Sequence, residues 1–285
     1  MKKEIKEKFP IWCMEDNSQY ELMISDDIDS LMCYVFQNRV FKRECSFFID
    51  VNYKKCTNYS PGIQKLYSVE GHTNDKNNII ALDFAIDGIT KCWDNHIVKI
   101  SKNDDINSNS ANLNIALDIS RSNYTKKAIV SSFITMLSYY NIDITKWDKD
   151  QLAILSAIDG LYLPFQNPRF ASTGKKNLEL LDYGFLGDFI KENINYIKEV
   201  EQKLNLKNGK IWVNKDTGLL ETNIKLDELS KMFGCVVELP QNKFKDQFQF
   251  ESKYIKENIT SKSMIEGRIF NLAMAYKNCG VVSTY

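Results

Sequence analysis

The chain reads as an α/β protein. A parallel-sheet N-terminal domain with helices on both faces is expected, then a long helix and a smaller α+β C-terminal part. Three observations lead there. Short apolar runs alternate with helical patterns through the first half. The run Ile79-Ile80-Ala81-Leu82 is apolar at consecutive positions, as in a parallel strand covered on both sides. Residues 177–205 carry a long helical periodicity through Leu178, Leu181, Phe185, Phe189, Ile190 and Ile194. The expected division is residues 1–170, a helical connector 171–210, and a C-terminal unit 211–285.

The elements follow in order. Residues 20–24 read as a strand and 29–41 as a helix. Residues 46–52 read as a second strand, and 53–78 as a polar loop containing Pro61-Gly62 and Gly71. Residues 79–84 form a third strand. Asp87-Gly88 marks a turn, and 89–93 a fourth strand. Residues 101–123 are a polar connector rich in Asn, Ser and Asp. From Tyr124 the residues Ala128, Ile129, Ser132, Phe133, Met136, Leu137 and Tyr140 recur at helical spacing. A helix over 149–161 follows, then a loop over 164–176 carrying Pro168 and Gly174. Beyond Asn208-Gly209 come a strand over 210–214, a helix over 226–233, the apolar run 235–239, and apolar runs near 269–274 and 280–282.

Composition narrows the class. At 285 residues the chain can bury a large core, and 44% hydrophobic with 26% charged residues suits a soluble protein. Lys+Arg and Asp+Glu are both 37, so the net charge of zero argues against a surface that coats nucleic acid. A nucleotide held at a metal stays open, because the metal supplies the positive charge. The seven cysteines, Cys13, Cys33, Cys45, Cys56, Cys92, Cys235 and Cys279, include no C-x-x-C pair and read as reduced thiols of a cytoplasmic protein. The opening MKKEIKEKFP lacks the apolar stretch of a signal peptide, and no run approaches the ~20 apolar residues of a membrane span.

Ser25-Asp26-Asp27-Ile28-Asp29-Ser30 is the most informative stretch. Three carboxylates in four residues sit where a strand turns into a helix. Such a group is costly without a cation and favourable with one. The alternative is an acidic N-cap, which a helix N-terminus also favours. Further carboxylates recur at strand ends: Asp83 after the third strand, and Asp94-Asn95-His96 after the fourth. In an open parallel sheet, ligands bind beyond the carboxyl ends of the strands. Asp159, in Ile158-Asp159-Gly160, follows an apolar helix at a glycine turn that would present it.

This succession resembles the DHH phosphoesterase superfamily, whose members include manganese-dependent pyrophosphatases, single-strand exonucleases and phosphodiesterases of short oligonucleotides. Asp27-Ile28-Asp29-Ser30 matches the first motif, and Asp83 the second. Asp94-Asn95-His96 stands where the family has Asp-His-His, Ser131-Ser132 where a helix begins with a small hydroxyl pair, and Asp159 at the fourth motif. The resemblance covers about residues 20–165. Departures are Met23 and Asn95 in place of metal-binding histidines, with only His72 and His96 in the chain, and no Gly-Gly-Gly-His signature near the C-terminus.

The resemblance implies Mn²⁺ or Mg²⁺ held by Asp27, Asp29, Asp83 and Asp159, with Asp83 bridging and Asn95 able to coordinate through its carbonyl oxygen. It implies a catalytic part for Asp83, Asp94 and His96, with His96 on the phosphate or leaving group. Ser131, Ser132, Lys126 and Lys127 are the expected substrate contacts. Each has an ordinary reading too. Asp94 can be a turn residue, His96 a structural imidazole, and Lys126-Lys127 a solvated helix start. His72 falls in a loop, and the run Asn107–Asn114 is a loop that could cap a helix over the site.

Two function classes follow. One is a metal-dependent phosphoesterase acting on a nucleotide, a short oligonucleotide or a single-stranded end. The other is a catalytically degenerate scaffold of the same shape that binds a protein partner or assembles, a homo-oligomer included. The missing histidines favour the second. Buried carboxylates, which are hard to keep without a cation, favour the first.

Overall fold

The computed structural model describes residues 1–51, 62–73 and 75–285. After a short helix α1 (Lys3–Lys6), the chain runs β1 (Glu21–Ile24), α2 (Ile28–Phe41), β2 (Cys45–Asp50), β3 (Gly62–Ser68), β4 (Ile79–Leu82), β5 (Lys91–Asp94) and β6 (Ser110–Asn112). Helices α3 (Leu113–Ala116), α4 (Ser132–Tyr139), α5 (Lys149–Ala157), α6 (Pro168–Leu180) and α7 (Phe185–Lys203) follow. Then come β7 (Ile211–Val213), β8 (Leu220–Thr222), α8 (Leu226–Phe233), β9 (Lys245–Ile255), β10 (Ile269–Tyr276) and β11 (Cys279–Thr284).

Nine strands form one sheet in the order β10-β11-β9-β3-β2-β1-β4-β5-β6, and β7 and β8 pair separately. The stretch β2-β1-β4-β5-β6 is parallel. Antiparallel ladders join β2 to β3, β3 to β9, β9 to β11 and β11 to β10. The C-terminal strands therefore extend the sheet that starts at Glu21. The sheet also bends back on itself: Ile86 bridges Asn271, and Ile97 bridges Met274, so edge strand β10 meets the segments that follow β4 and β5.

Period-2 alternation sends the apolar runs of the parallel strands to two faces. Leu22, Ile24, Phe48, Ile80, Leu82 and Trp93 pack with the helices. Met23, Phe47, Ile49, Ala81 and Cys92 pack instead on Phe250 and Phe270 from β9 and β10. Helices on both faces were expected. Among the described residues, the second face is closed by the curled sheet, with no helix residue in that core. Continuous apolar runs require a cover on each side but do not say whether it is helix or strand.

Other differences have local causes. The loop expected over 53–78 contains β3, whose partner strands lie far away in sequence; residues 52–61 and 74 lie outside the described residues. The loop expected over 164–176 is mostly α6, because Pro168 occupies its first turn and Asn167 caps it, accepting from the Arg169 amide. The long helix over 177–205 is two helices, broken where Asp182 takes a left-handed φ of 59° before Gly184. The polar connector carries β6 and α3, and Asn112 caps α3 as the Asn-rich run suggested. The run 235–239 forms no strand.

The wrap of the C-terminal strands has a measurable consequence. The tryptophans Trp12, Trp93, Trp147 and Trp212 all lie outside β9–β11. Leu272→Ala on β10, where Leu272 is fully buried, should destabilise the chain by about 2–5 kcal/mol. Urea unfolding followed by tryptophan fluorescence and by circular dichroism should shift together. A fluorescence transition left in place would show that the two faces unfold independently.

Candidate metal centre

Five segments converge at the carboxyl ends of the parallel strands. The turn after β1 carries Asp26, Asp27 and Asp29. Asp27 is the N-cap of α2 and accepts from the Ser30 amide at 3.3 Å. Ser30 ties this turn to β4: its hydroxyl donates to the Leu82 carbonyl at 2.7 Å and accepts from the Ser25 amide at 2.7 Å. Asp29 lies wholly buried in the first turn of α2. The N-terminus of α4 meets it there, with the Ser132 and Phe133 amides donating to its carboxylate at 2.6 and 2.8 Å. Two helix N-termini therefore face this acid, and their unsatisfied N–H groups favour its charge.

Asp83 follows β4, and its amide is tied to the Trp93 carbonyl of β5 at 2.8 Å. Asp83 and Asp159 both take a left-handed φ of 53°, a conformation uncommon outside glycine that Asp and Asn tolerate best. Asp159 follows α5 and precedes Gly160, itself at φ 64°, so the chain turns to present its carboxylate.

The oxygens of Asp29, Asp83 and Asp159 lie within 4.8 Å of one another, and so do ligand atoms of Asp83, Asp94 and His96. Asp83 belongs to both groups. Asp94 is held through both of its oxygens. It accepts from His96 Nδ1 at 2.7 Å, from the His96 amide at 3.1 Å and from Asn112 at 2.7 Å. With Nδ1 held there, Nε2 is the remaining polar atom of the half-exposed His96 ring. Asn95 donates to Asp29 at 3.4 Å and to Asp159. The Asn95 carbonyl accepts from Asn114, whose side chain also bonds both ends of Ala128.

Charge is crowded here. Burial, reinforced by Asp159 and Asp27, pushes the Asp29 carboxyl well above the usual carboxylate range, despite its two amide donors. Burial also raises Asp83, with Asp29, Asp27, Asp159 and Asp94 adding to it. Asp159 is solvent-exposed on one side, yet the protein surrounding it and the Asp27 charge raise it too. Burial opposes the charged His96 ring, but the Asp94 carboxylate outweighs it and the imidazole is held above its ordinary value. Burial lowers Lys127, whose charge faces Asp159, Asp94 and Asp83.

The structure thus brings Asp29, Asp83, Asp94, Asn95, His96 and Asp159 together. Asp27 is the helix cap and acts on the group through its charge, outside the two ligand triads. Ser131 caps α4 and Ser132 donates to Asp83 at 2.9 Å, so both hydroxyls are spent on building the site. Lys126 is exposed and Lys127 half-buried. His72 lies elsewhere, its ring 5.0 Å from that of Phe47.

Sequence reasoning missed Lys210. Its ammonium lies 3.1 Å from Asp26, and the Ile211 amide donates to the Asp26 carbonyl at 2.9 Å, pinning β7 to the motif turn. Burial raises Asp26 to about 6, only partly offset by Lys210. A lone lysine beyond an Asn-Gly turn offers no pattern to find it by. Asn112 and Asn114 had a weak signal in the Asn-rich run.

No protein-family model, curated protein or solved structure matches the chain. The donor set itself fits a hard divalent cation. It is mostly carboxylate oxygen, deeply placed, with one carboxylate common to two groups and one imidazole, as Mg²⁺ or Mn²⁺ accept.

A cation should therefore stabilise the fold in a pH-dependent way. Asp29 and Asp83 are raised above their unfolded value of 3.8, so without metal their contribution is fully present below that value and fades as pH rises through the folded one. Metal requires the deprotonated carboxylates and releases their protons. Saturating Mn²⁺, at about a hundredfold over its dissociation constant, should add about 2.7 kcal/mol. The rise in melting temperature at fixed Mn²⁺ should be larger at pH 8 than at pH 4, close to the unfolded carboxylate value, read by scanning calorimetry. An equal rise at both, or none, would contradict a carboxylate metal centre.

Proposed function

We propose that the chain is a divalent-metal-dependent phosphoesterase of a divergent DHH-like kind. It would hydrolyse a phosphodiester or phosphoanhydride of a nucleotide, a short oligonucleotide or a single-stranded nucleic-acid end. The observation that carries this reading is the sharing of Asp83 between the Asp29–Asp159 group and the Asp94–His96 group. A carboxylate common to two ligand sets is what a two-cation site needs.

Asp29, Asp83 and Asp159 would hold one cation, and Asp83 with Asp94 a second, which leaves His96 Nε2 for the substrate. When bound, such ions polarise a phosphoryl oxygen and activate water. The chain's own groups do the rest. Asp94 fixes the His96 ring through Nδ1, so that Nε2 can donate to a phosphate oxygen or a leaving group. Lys127 places positive charge beside Asp83 and Asp159, where an anionic substrate needs it. The amides of α4 hold Asp29 still, which keeps the site preorganised.

One observation favours the second reading, a non-catalytic scaffold that binds a protein partner. Asn95 stands where a metal-binding histidine is expected and turns an amide donor towards Asp29 and Asp159. That donor partly compensates the carboxylates without any cation. Rotating the amide would instead present its oxygen.

Turnover separates the two. With Mn²⁺, the purified chain should hydrolyse at least one of pyrophosphate, a dinucleotide and bis-p-nitrophenyl phosphate. Asp83→Asn should reduce this to background. His96→Gln should lower it by about 10²–10⁴-fold, the usual worth of a positioned acid or base. No turnover on this panel, with a folded chain that binds no Mn²⁺ by calorimetry, would leave the scaffold reading.

A further inference from the structure

A second cavity, of about 320 Å³, lies between the parallel strands and the C-terminal strands that curl over them. It is separate from the metal centre. Ile79 and Thr90 line it at the starts of β4 and β5, whereas Asp83 and Asp94 stand at the ends of those strands. Its walls are largely apolar, with five aromatic rings: Phe47, Phe248, Phe250, Phe270 and Tyr285. Phe250 and Phe270 stack with ring centroids 3.7 Å apart, which makes one wall flat. The volume is at the lower end of those that take small ligands, and the lining is of the apolar kind such sites use.

The charges at its rim are unequal. Asp87 lines the cavity, but Lys262 neutralises it at 2.6 Å. Lys76 and Arg268 also line it, and among the described residues neither is paired with a carboxylate. Both lie against the Tyr285 ring instead, at 5.3 and 5.0 Å from its centroid. An apolar interior thus opens on two cations that have no acidic partner among the described residues.

We infer that this cavity binds a small amphipathic carboxylate, its hydrocarbon body against the Phe250–Phe270 wall and its anionic end between Lys76 and Arg268. The inference does not depend on the metal centre.

Octanoate is the probe, with octan-1-ol and octylammonium as neutral and cationic controls. The location is read from the methyl resonance of Met23, which lines the cavity, in protein labelled at methionine methyls. Octanoate should shift that resonance at millimolar concentration or below, and bind more tightly than octanol, with octylammonium weakest. The double variant Lys76→Gln/Arg268→Gln should weaken octanoate about three- to tenfold, as two exposed ion pairs allow, and leave octanol unchanged. Ile89→Trp, at an exposed position on the rim, should weaken all three while the melting temperature holds. Octylammonium binding as tightly as octanoate, insensitivity to the double variant, a shift confined to other methionines, or no binding at millimolar octanoate would each overturn the assignment.

Discussion

The mutual repulsion of carboxylates that the fold forces together sets the terms for the rest of this structure. Asp29, Asp83 and Asp159 come from three distant parts of the chain, and their oxygens meet within 4.8 Å. Nothing about hydrophobic packing requires that. Several independent devices oppose the repulsion: the N-termini of α2 and α4, the Ser132 hydroxyl on Asp83, the Asn95 amide between Asp29 and Asp159, and Lys127 nearby. Each is partial. The carboxyls remain pushed towards their protonated forms by burial and by one another. A chain that holds such a cluster with two left-handed aspartates and two helix starts keeps in place an arrangement that protonation or a bound cation would relieve.

The curled sheet makes the arrangement rigid. Asp83 and Asp94 extend from strands whose helical face is packed under α2 and α4 and whose other face is closed by Phe250 and Phe270. Beyond the strands, the Asp87 amide binds the Phe270 carbonyl at 2.8 Å, and the Met274 amide binds the Ile97 carbonyl at 2.9 Å. The loops that start at Asp83 and Asp94 are thereby anchored only a few residues past each acid. The same curl encloses the aromatic cavity at the opposite end of the strands. One topological feature thus serves both ends of the parallel core.

How much of this the sequence revealed depends on the range of the interactions involved. The parallel strands β1, β2, β4 and β5 and helix α2 are legible because their apolar patterns are local, and β1 and α2 fall within a residue of their expected positions, whereas the polar β6 is not. The acids at strand ends are legible because each follows or closes an apolar run that reads as a strand. Strand β9 was not read at all. Its residues alternate, yet most are exposed, and only pairing with β3 and β11 defines it. Helix α6 was lost to Pro168, a residue that breaks a helix interior but suits a first turn. In the site, the sequence points to Ser131 and Ser132 as substrate contacts, and the structure shows their hydroxyls bonded to α4 and Asp83. Residue type announces polar chemistry without saying which neighbour receives it.

Positions 23 and 95 have different places in the fold. Met23 alternates to the aromatic side of the sheet and belongs to the core there with Phe47 and Phe270, away from the acids. Asn95 lies in the site. Its backbone carbonyl is held by Asn114, and its side chain reaches Asp29 and Asp159, two members of the same ligand group. An amide there can donate to bare carboxylates or, rotated, offer an oxygen beside them. The first suits a site without metal and the second a site with it, for one rotation about a single bond. An asparagine at this place therefore holds the cluster together without supplying an imidazole ligand. The oxygens that remain match hard ions better than they match zinc.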